Sequence, residues 1–300
     1  METIEPQLLR VLLAVRDAGS ISRAAVVLGY SQPAVSQLLA RAEQRLGHDL
    51  VLRGGRGATL TESGRVLADH ALHVDAALAA AREDLDAVGG LARGRVRFAG
   101  FPSASSTLVP PVLAAMAATS PGVHTSYVEA EPPEAIDLVR RGEVDVALTF
   151  SHALQEESAD DPTLTTEVLG RDPLALVTPA GAAAPVADLA AFRSARWIGG
   201  CPRCRGHLLA SCAASGFTPD IVLETDNAAA VVGLVAAGLG VALLPRLALT
   251  TTVVPPGVEA TPASDELARR VEVVVARGAG RVPSVRAALD AVRGAAHLLG

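Results

Sequence analysis

The 300-residue chain contains no lysine; all 26 of its basic side chains are arginine. We read that as codon bias from a GC-rich genome, not as a functional device. Long apolar runs are missing as well. Half of the residues are hydrophobic, yet no stretch approaches the roughly 20 residues that a bilayer span needs. The opening METIEPQLLR lacks the charged-then-apolar pattern of a signal peptide. The expectation is a cytoplasmic chain with no membrane partner. Catalytic signatures are absent too: there is no dinucleotide fingerprint, phosphate loop or nucleophile elbow. Gly238-Leu239-Gly240 lacks the rest of a dinucleotide motif and reads as a helix end before a strand. His152, Ser151 and Asp160 form a hydrolytic triad only on paper, so an enzyme is a distant alternative. No cofactor is implied.

What is present is concentrated first in Ser20 to Thr61. The order reads helix, tight turn, helix, short β-ribbon, which is a winged helix-turn-helix built to place one helix in a major groove. Ser22 is the expected cap of a short helix with Ala24, Ala25 and Leu28 inward, and Gly29 supplies the turn. Ser31 caps the next helix, and Pro33 is tolerated in its first turn. Val35, Leu38, Leu39, Ala42 and Leu46 recur at helical spacing as a buried stripe. Gln32, Ser36 and Gln37 point outward near the start of that helix. Glutamine suits an adenine edge, and serine suits base or phosphate. Leu50–Arg53 and Ala58–Leu60 read as two strands, with Arg56 at the tip of the glycine-rich turn, fit for a phosphate backbone or minor groove. Ser22, Ser31, Gln32, Pro33, Ser36, Gln37, Arg41, Arg53 and Arg56 are the candidate DNA contacts.

The net charge of −6 runs against such a module until the chain is divided. Residues 1–65 carry 8 arginines against 6 acids, and the remainder carries 18 against 26. A mildly basic head on an acidic body suits specific binding through few phosphate contacts. The residues that carry the head pattern include Ser20, Ala24-Ala25, Leu28, Ser31 to Ser36, Glu43, Leu46-Gly47, Leu50, Arg53, Arg56 and Leu60-Thr61. In these the chain resembles the LysR-type bacterial transcription regulators. It departs from the usual pattern at Val51, where phenylalanine is common, and at Tyr30, often aliphatic. The resemblance is most specific over residues 1–65.

Thr61 reads as the cap of a long helix, with Glu62 near the positive end of its dipole. Leu67, Ala71, Val74, Leu78, Ala81, Leu85 and Val88 alternate spacings of four and three, a coiled-coil seam on a helix about 42 Å long. From Arg95 onward strands and helices alternate, implying parallel-rich α/β sheets. The chain thus reads as a winged helix-turn-helix (1–61), a dimerisation helix and hinge (62–92) and an α/β domain of two lobes (93–300). Lobe 1 is expected at about 93–150 and 263–300, lobe 2 at about 151–262. The resemblance implies a periplasmic-binding-protein-like effector domain, a double-stranded DNA operator with dyad symmetry, a dimer of dimers, and RNA polymerase as a partner.

Open α/β sheets bind ligands beyond the carboxyl ends of their strands. Four loops fall there, and they nominate Ser103 and Ser105, Glu131, the segment Cys201-Pro202-Arg203-Cys204, and Asp226. The interlobe hinge adds Phe150 and Ser151. The serines and Arg203 suit a carboxylate, whereas Glu131 and Asp226 suit an amine, so a zwitterionic small molecule satisfies both. The run Cys201-x2-Cys204-x2-His207-x4-Cys212 raises zinc and a thiol-redox switch as alternatives. If the segment is helical, Cys204 and Cys212 lie about 12 Å apart along the axis, which forbids convergence of all four on one ion. A Cys201–Cys204 redox pair is geometrically easier, with no metal ligand assigned.

Overall fold

The computed structural model describes residues 4–54, 57–88, 93–152, 161–181 and 188–299. The head comprises α1 (Pro6–Ala18), α2 (Ile21–Leu28), α3 (Gln32–Leu46), β1 (Val51–Gly54) and β2 (Gly57–Leu60). Each helix stops at a glycine with left-handed backbone, Gly19, Gly29 and Gly47, a conformation that costs other residues. The cap of α2 is Ser20, whose hydroxyl accepts from Arg23 N; Ser22 is exposed inside the helix. The correction follows from phase: Ile21 is already buried and must be helical. Ser31 does cap α3, accepting from Ala34 N at 3.3 Å. Leu8, Val11, Leu12 and Val15 pack with Ala24, Val35, Leu39, Leu50 and Leu60 in one core. Gly57 approaches Gly19 O so closely that a Cβ would sit 2.6 Å away. Ala58 N donates to that same oxygen.

The single long helix expected over 62–89 is two helices, α4 (Glu62–Asp69) and α5 (Ala71–Val88), divided at His70. Thr61 caps α4 through Gly64 N at 3.0 Å. Along α5 the seam positions diverge. Ala71 packs in the same chain with Leu9 and Leu13, while Leu78 is 47% and Leu85 71% exposed. The opposite side, Ala76 and Ala80, packs on the body, and Glu83 accepts from Ser284 N and Oγ.

The body begins with β3 (Gly94–Gly100), α6 (Pro102–Thr107), α7 (Val109–Thr119), β4 (Val123–Glu129), α8 (Pro132–Arg140), β5 (Val146–His152) and β6 (Leu164–Asp172). Then come β7 (Leu174–Pro179), β8 (Arg196–Gly199), α9 (Pro202–Ala214), β9 (Asp220–Glu224), α10 (Ala228–Ala236), β10 (Ala242–Pro245), α11 (Arg246–Thr250) and β11 (Val258–Pro262). β12 (Arg269–Ala276) and α12 (Pro283–Ala295) finish it. Lobe 1 holds a five-stranded sheet in the order β4-β3-β5-β12-β6, parallel among β3, β4 and β5 and antiparallel at β12. Lobe 2 holds β10-β7-β11, antiparallel, and the parallel pair β8-β9. A bridge from Trp197 to Val241 joins the two.

Two expectations about the lobes change. β6 returns to the lobe 1 sheet, so the chain leaves lobe 1 at Asp172–Pro173, not near Phe150-Ser151. β11 pairs with β7 through Pro262, so the return comes just before Arg269. β6 exposes Thr165, Thr166, Val168 and Arg171, and β11 exposes Glu259, Ala260 and Pro262. An antiparallel edge strand with one wet face has a weak apolar signal.

Candidate functional site

On the head, α3 presents Gln32, Pro33, Gln37 and Arg41 to solvent, with Ser31 at its start and Ser36 half-buried. The Gln32 side-chain amide donates to Ser36 Oγ at 2.8 Å. That bond holds the amide across one turn of the helix. Glu43 near the other end of α3 accepts from Leu50 N at 2.9 Å and Val51 N at 3.1 Å. The recognition helix is thereby fixed to the first wing strand. Arg53 is exposed on that strand, its guanidinium 3.9 Å from Glu43 Oε2. Arg56 lies outside the described residues. Ser22 faces solvent on α2, set apart from the α3 set.

Between the lobes lies a cleft of about 480 Å³. Its floor is built around Arg269, the first residue of β12, and Asp172, the last of β6. Both are almost wholly buried and their charged atoms are 2.7 Å apart. Asp172 Oδ1 also accepts from Leu247 N, anchoring α11. Arg269 donates to Ser103 Oγ at 2.6 Å, and its guanidinium stands 4.7 Å and 4.5 Å from the ring centroids of Phe101 and Phe150. An ion pair removed from water needs all its lone pairs and protons answered, and here the pair that joins β6 to β12 also holds α6, α11 and two rings.

Beside this floor, His152 stacks on His207 with centroids 3.9 Å apart. Burial, then the neighbouring His207, Arg269 and Arg203, push the His152 pKa down to about 2, so this ring is neutral. His207 is lowered by burial, opposed by its contact with the Leu267 carbonyl. The far wall carries the cysteines. Cys201 caps α9, and its Sγ is 3.3 Å from Cys204 Sγ. The Cys201 thiol donates to Cys204, which lowers the Cys204 pKa, aided by Arg269 and opposed by burial. The same donation, with burial, raises Cys201. Glu131 is raised chiefly by burial, opposed by the Cys201 thiol and Arg269 and aided by repulsion from Asp226 and Glu129; Asp226 is raised by burial.

Of the nine cleft candidates, Ser103, Glu131, Phe150, Cys201 and Asp226 line this one cavity. The other four do not. Ser105 turns back to the Phe101 carbonyl and pairs with Tyr127 Oη at 2.5 Å. Ser151 faces the other side of β5 and donates to Glu272 at 2.7 Å, as strand alternation from Phe150 requires. Pro202 is exposed at the start of α9. Arg203 donates to the Phe150 carbonyl at 2.6 Å and so ties α9 to lobe 1. Cys212 sits in a separate core with Trp197 and Leu208, its pKa raised by burial to about 11. Arg269 carries no signal in the sequence, and His152 and His207, which the sequence offers only for a triad and a zinc run, line the cleft instead. An arginine opening a strand reads as solvated, and its partner is 97 positions away.

A helix-turn-helix head joined to a two-lobed body with a polar cleft defines a ligand-responsive, DNA-binding transcription regulator. The chain belongs to the LysR family. The family model of the bacterial regulatory helix-turn-helix protein, lysR family, matches residues 6–65, and the LysR substrate binding domain matches 89–296. It is similar to the probable HTH-type transcriptional regulator LrrA of Synechococcus elongatus, 31% identical over 95% of each chain. Among solved structures it resembles a full-length OxyR variant from Pseudomonas aeruginosa, with a TM-score of 0.69 and 20% identity over 100% of this chain and 97% of that one. It also resembles full-length LysG from Corynebacterium glutamicum with bound effector Arg, with a TM-score of 0.62 and 21% identity over 98% and 99%. Among the described residues no helix is long and apolar enough to cross a membrane.

Proposed function

We propose that a small zwitterionic or amine-bearing metabolite binds between the lobes, with its amine against Glu131 and Asp226 and its acidic end near Ser103. The observation that carries this reading is the cleft itself, which takes residues from both lobes around the Arg269–Asp172 crossing. About 480 Å³ lies in the ordinary range for small-ligand sites. Binding changes the angle between lobes, and α5, packed on lobe 1, carries that change to the heads. The exposed Leu78 and Leu85 face pairs with a second chain, and the effector domains pair again to give a dimer of dimers. The heads read a dyad-symmetric operator through Gln32 and Ser36, grip phosphate through the wing, and regulate RNA polymerase in the cytoplasm without turnover of the ligand.

The test is calorimetry and operator gel shift with a panel of amino acids, arginine included since it is the effector bound in the LysG structure. Ser103→Ala and Glu131→Ala are expected to weaken the ligand response about tenfold or more while ligand-free operator affinity stays near wild type. Unchanged ligand affinity in both variants places the pocket elsewhere. On the head, Gln32→Ala is expected to relax base preference, by roughly 1–3 kcal/mol for a bidentate contact. An unchanged preference removes Gln32 from the reading set.

The 3.3 Å separation of Cys201 Sγ and Cys204 Sγ favours a second reading, a thiol switch. Peroxide would take both thiols to a disulfide, with two waters released. A footprint shifted by peroxide in wild type and Cys212→Ser, but not in Cys201→Ser, supports it. A footprint indifferent to peroxide rejects it.

A further inference from the structure

The four metal-ligand residues visible in the sequence run do not meet. His207 is held by stacking on His152 and by the Leu267 carbonyl, and Cys212 is in another core. The fold offers a different quartet. Glu131, which follows β4 in lobe 1, reaches across to Cys201 and Asp226 in lobe 2. One ligand atom from each of these three lies within 4.8 Å of the others. Cys204 adds a second sulfur 3.3 Å from Cys201 Sγ. Gly200 packs closely on this cluster: a Cβ there would meet Cys204 Cβ at 3.2 Å, with Asp226 Oδ1 at 3.8 Å and Cys204 Sγ at 3.9 Å. Among the described residues Glu131 Oε2 is buried without a hydrogen-bond partner, although the Cys201 thiol lies near enough to the carboxyl group to act on it. An orphaned buried oxygen calls for an explanation, and a cation supplies one.

Tetrahedral zinc with sulfur at about 2.3 Å and oxygen at about 2.0–2.2 Å places neighbouring ligand atoms roughly 3.3–3.8 Å apart. Glu131, Cys201 and Asp226, with ligand atoms within 4.8 Å of one another, reach that spacing with shifts of about 1.5 Å or less; Cys204, outside that triplet, joins it by turning its side chain. Two thiols select a thiophilic ion over calcium or magnesium, and two carboxylates make the site unlike the all-sulfur environments that suit copper(I). We propose that the cleft holds one thiophilic divalent metal ion, zinc by preference, on Cys201, Cys204, Asp226 and Glu131, so that the ion clamps lobe 1 to lobe 2. The two thiol protons pass to solvent as the metal–sulfur bonds form. Three ligands belong to lobe 2 and one to lobe 1, so binding draws the lobes together. The proposal rests on the reading of this cleft as the effector site and puts a metal ion, in place of an amine, on Glu131 and Asp226.

The experiment uses the full-length chain, reduced and stripped with a chelator, then titrated with cobalt(II), with zinc(II) measured by competition against a chromophoric chelator. Expected are one equivalent per chain and a thiolate-to-cobalt charge-transfer band. Cys201→Ser and Cys204→Ser should each abolish the band or weaken binding by more than a hundredfold. Glu131→Gln and Asp226→Asn should keep the band and weaken binding at least about tenfold, the scale seen when a metal site is disturbed. Cys212→Ser should match wild type. Metal-free operator binding by each variant shows that it is folded. No charge-transfer band at one equivalent, wild-type affinity in Glu131→Gln, or equal loss in Cys212→Ser overturns the clamp. A chelated protein that still responds to the amino-acid panel while binding no metal defeats the clamp alone. Loss of both responses defeats the cleft reading as well.

Discussion

Arg269 and Asp172 show how much one pair of side chains can decide. Each has 3% or less of its side chain exposed, so neither charge has water to fall back on. Arg269→Met is expected to destabilise the chain by about 3–5 kcal/mol, the cost of leaving a buried partner charge uncompensated. Urea unfolding measures it, and the double variant with Asp172→Leu should recover part of the loss. Equal stability of Arg269→Met and wild type would mean that water reaches the pair. His152 gives a pH signature. Its pKa is held near 2 in the fold and returns to about 6.5 on unfolding. The unfolded chain therefore binds the extra proton below about pH 6.5, and stability falls as pH drops through that window. His152→Phe should flatten the slope between about pH 6.5 and 5 by roughly 1 kcal/mol per pH unit; parallel pH curves for the two proteins would exclude His152 as its source. At this scale the sequence is partly legible. Ser103, Glu131 and Cys201 announce themselves as polar groups at strand ends. Arg269 and His152 do not, because what defines them is a partner in another segment.

At the level of elements, local chemistry speaks most clearly where it is self-contained. Ser31, Pro33 and Gly47 mark both ends of α3 within a residue, since caps and left-handed stops are neighbour effects. The single long linker helix was misread because the apolar spacing runs straight through His70, where α4 ends. Glu43 stood in the sequence as one residue of a family pattern, and the structure supplies its work. Glu43→Ala strands two backbone N–H groups at Leu50 and Val51, a loss of roughly 1–3 kcal/mol where such donors are shut from water. Operator affinity should fall with it as the wing loses its setting against α3. Glu43→Gln keeps one acceptor oxygen and should be milder; if Glu43→Ala bound operator as wild type does, the wing would need no such setting. On α5, Leu78→Asp puts a charge into the face that the proposed dimer must bury. Cooperative binding to paired half-sites should disappear in gel shift, and wild-type cooperativity would remove the α5 seam from the interface.

For the molecule as a whole, the alternation of strand and helix was enough to expect two α/β lobes but not to assign every strand between them. β6 and β11 are half wet, and their membership depends on which distant strand offers an open edge. Pairing of that kind is settled by the assembled sheet, not by the segment. One result of it is that β6 and β12 lie side by side, antiparallel, with Asp172 opposite Arg269 as the final rung. In terms of chain path, everything between those two residues is the loop of a β-hairpin, grown to the size of a lobe. The ends of that loop are already closed, and domains inserted at such points are the kind that tolerate excision. Joining Asp172 to Arg269 through Asn-Gly, the shortest turn suited to a twisted ladder, would therefore leave a folded half-receptor: a DNA head with one intact sheet, and nothing left to close upon.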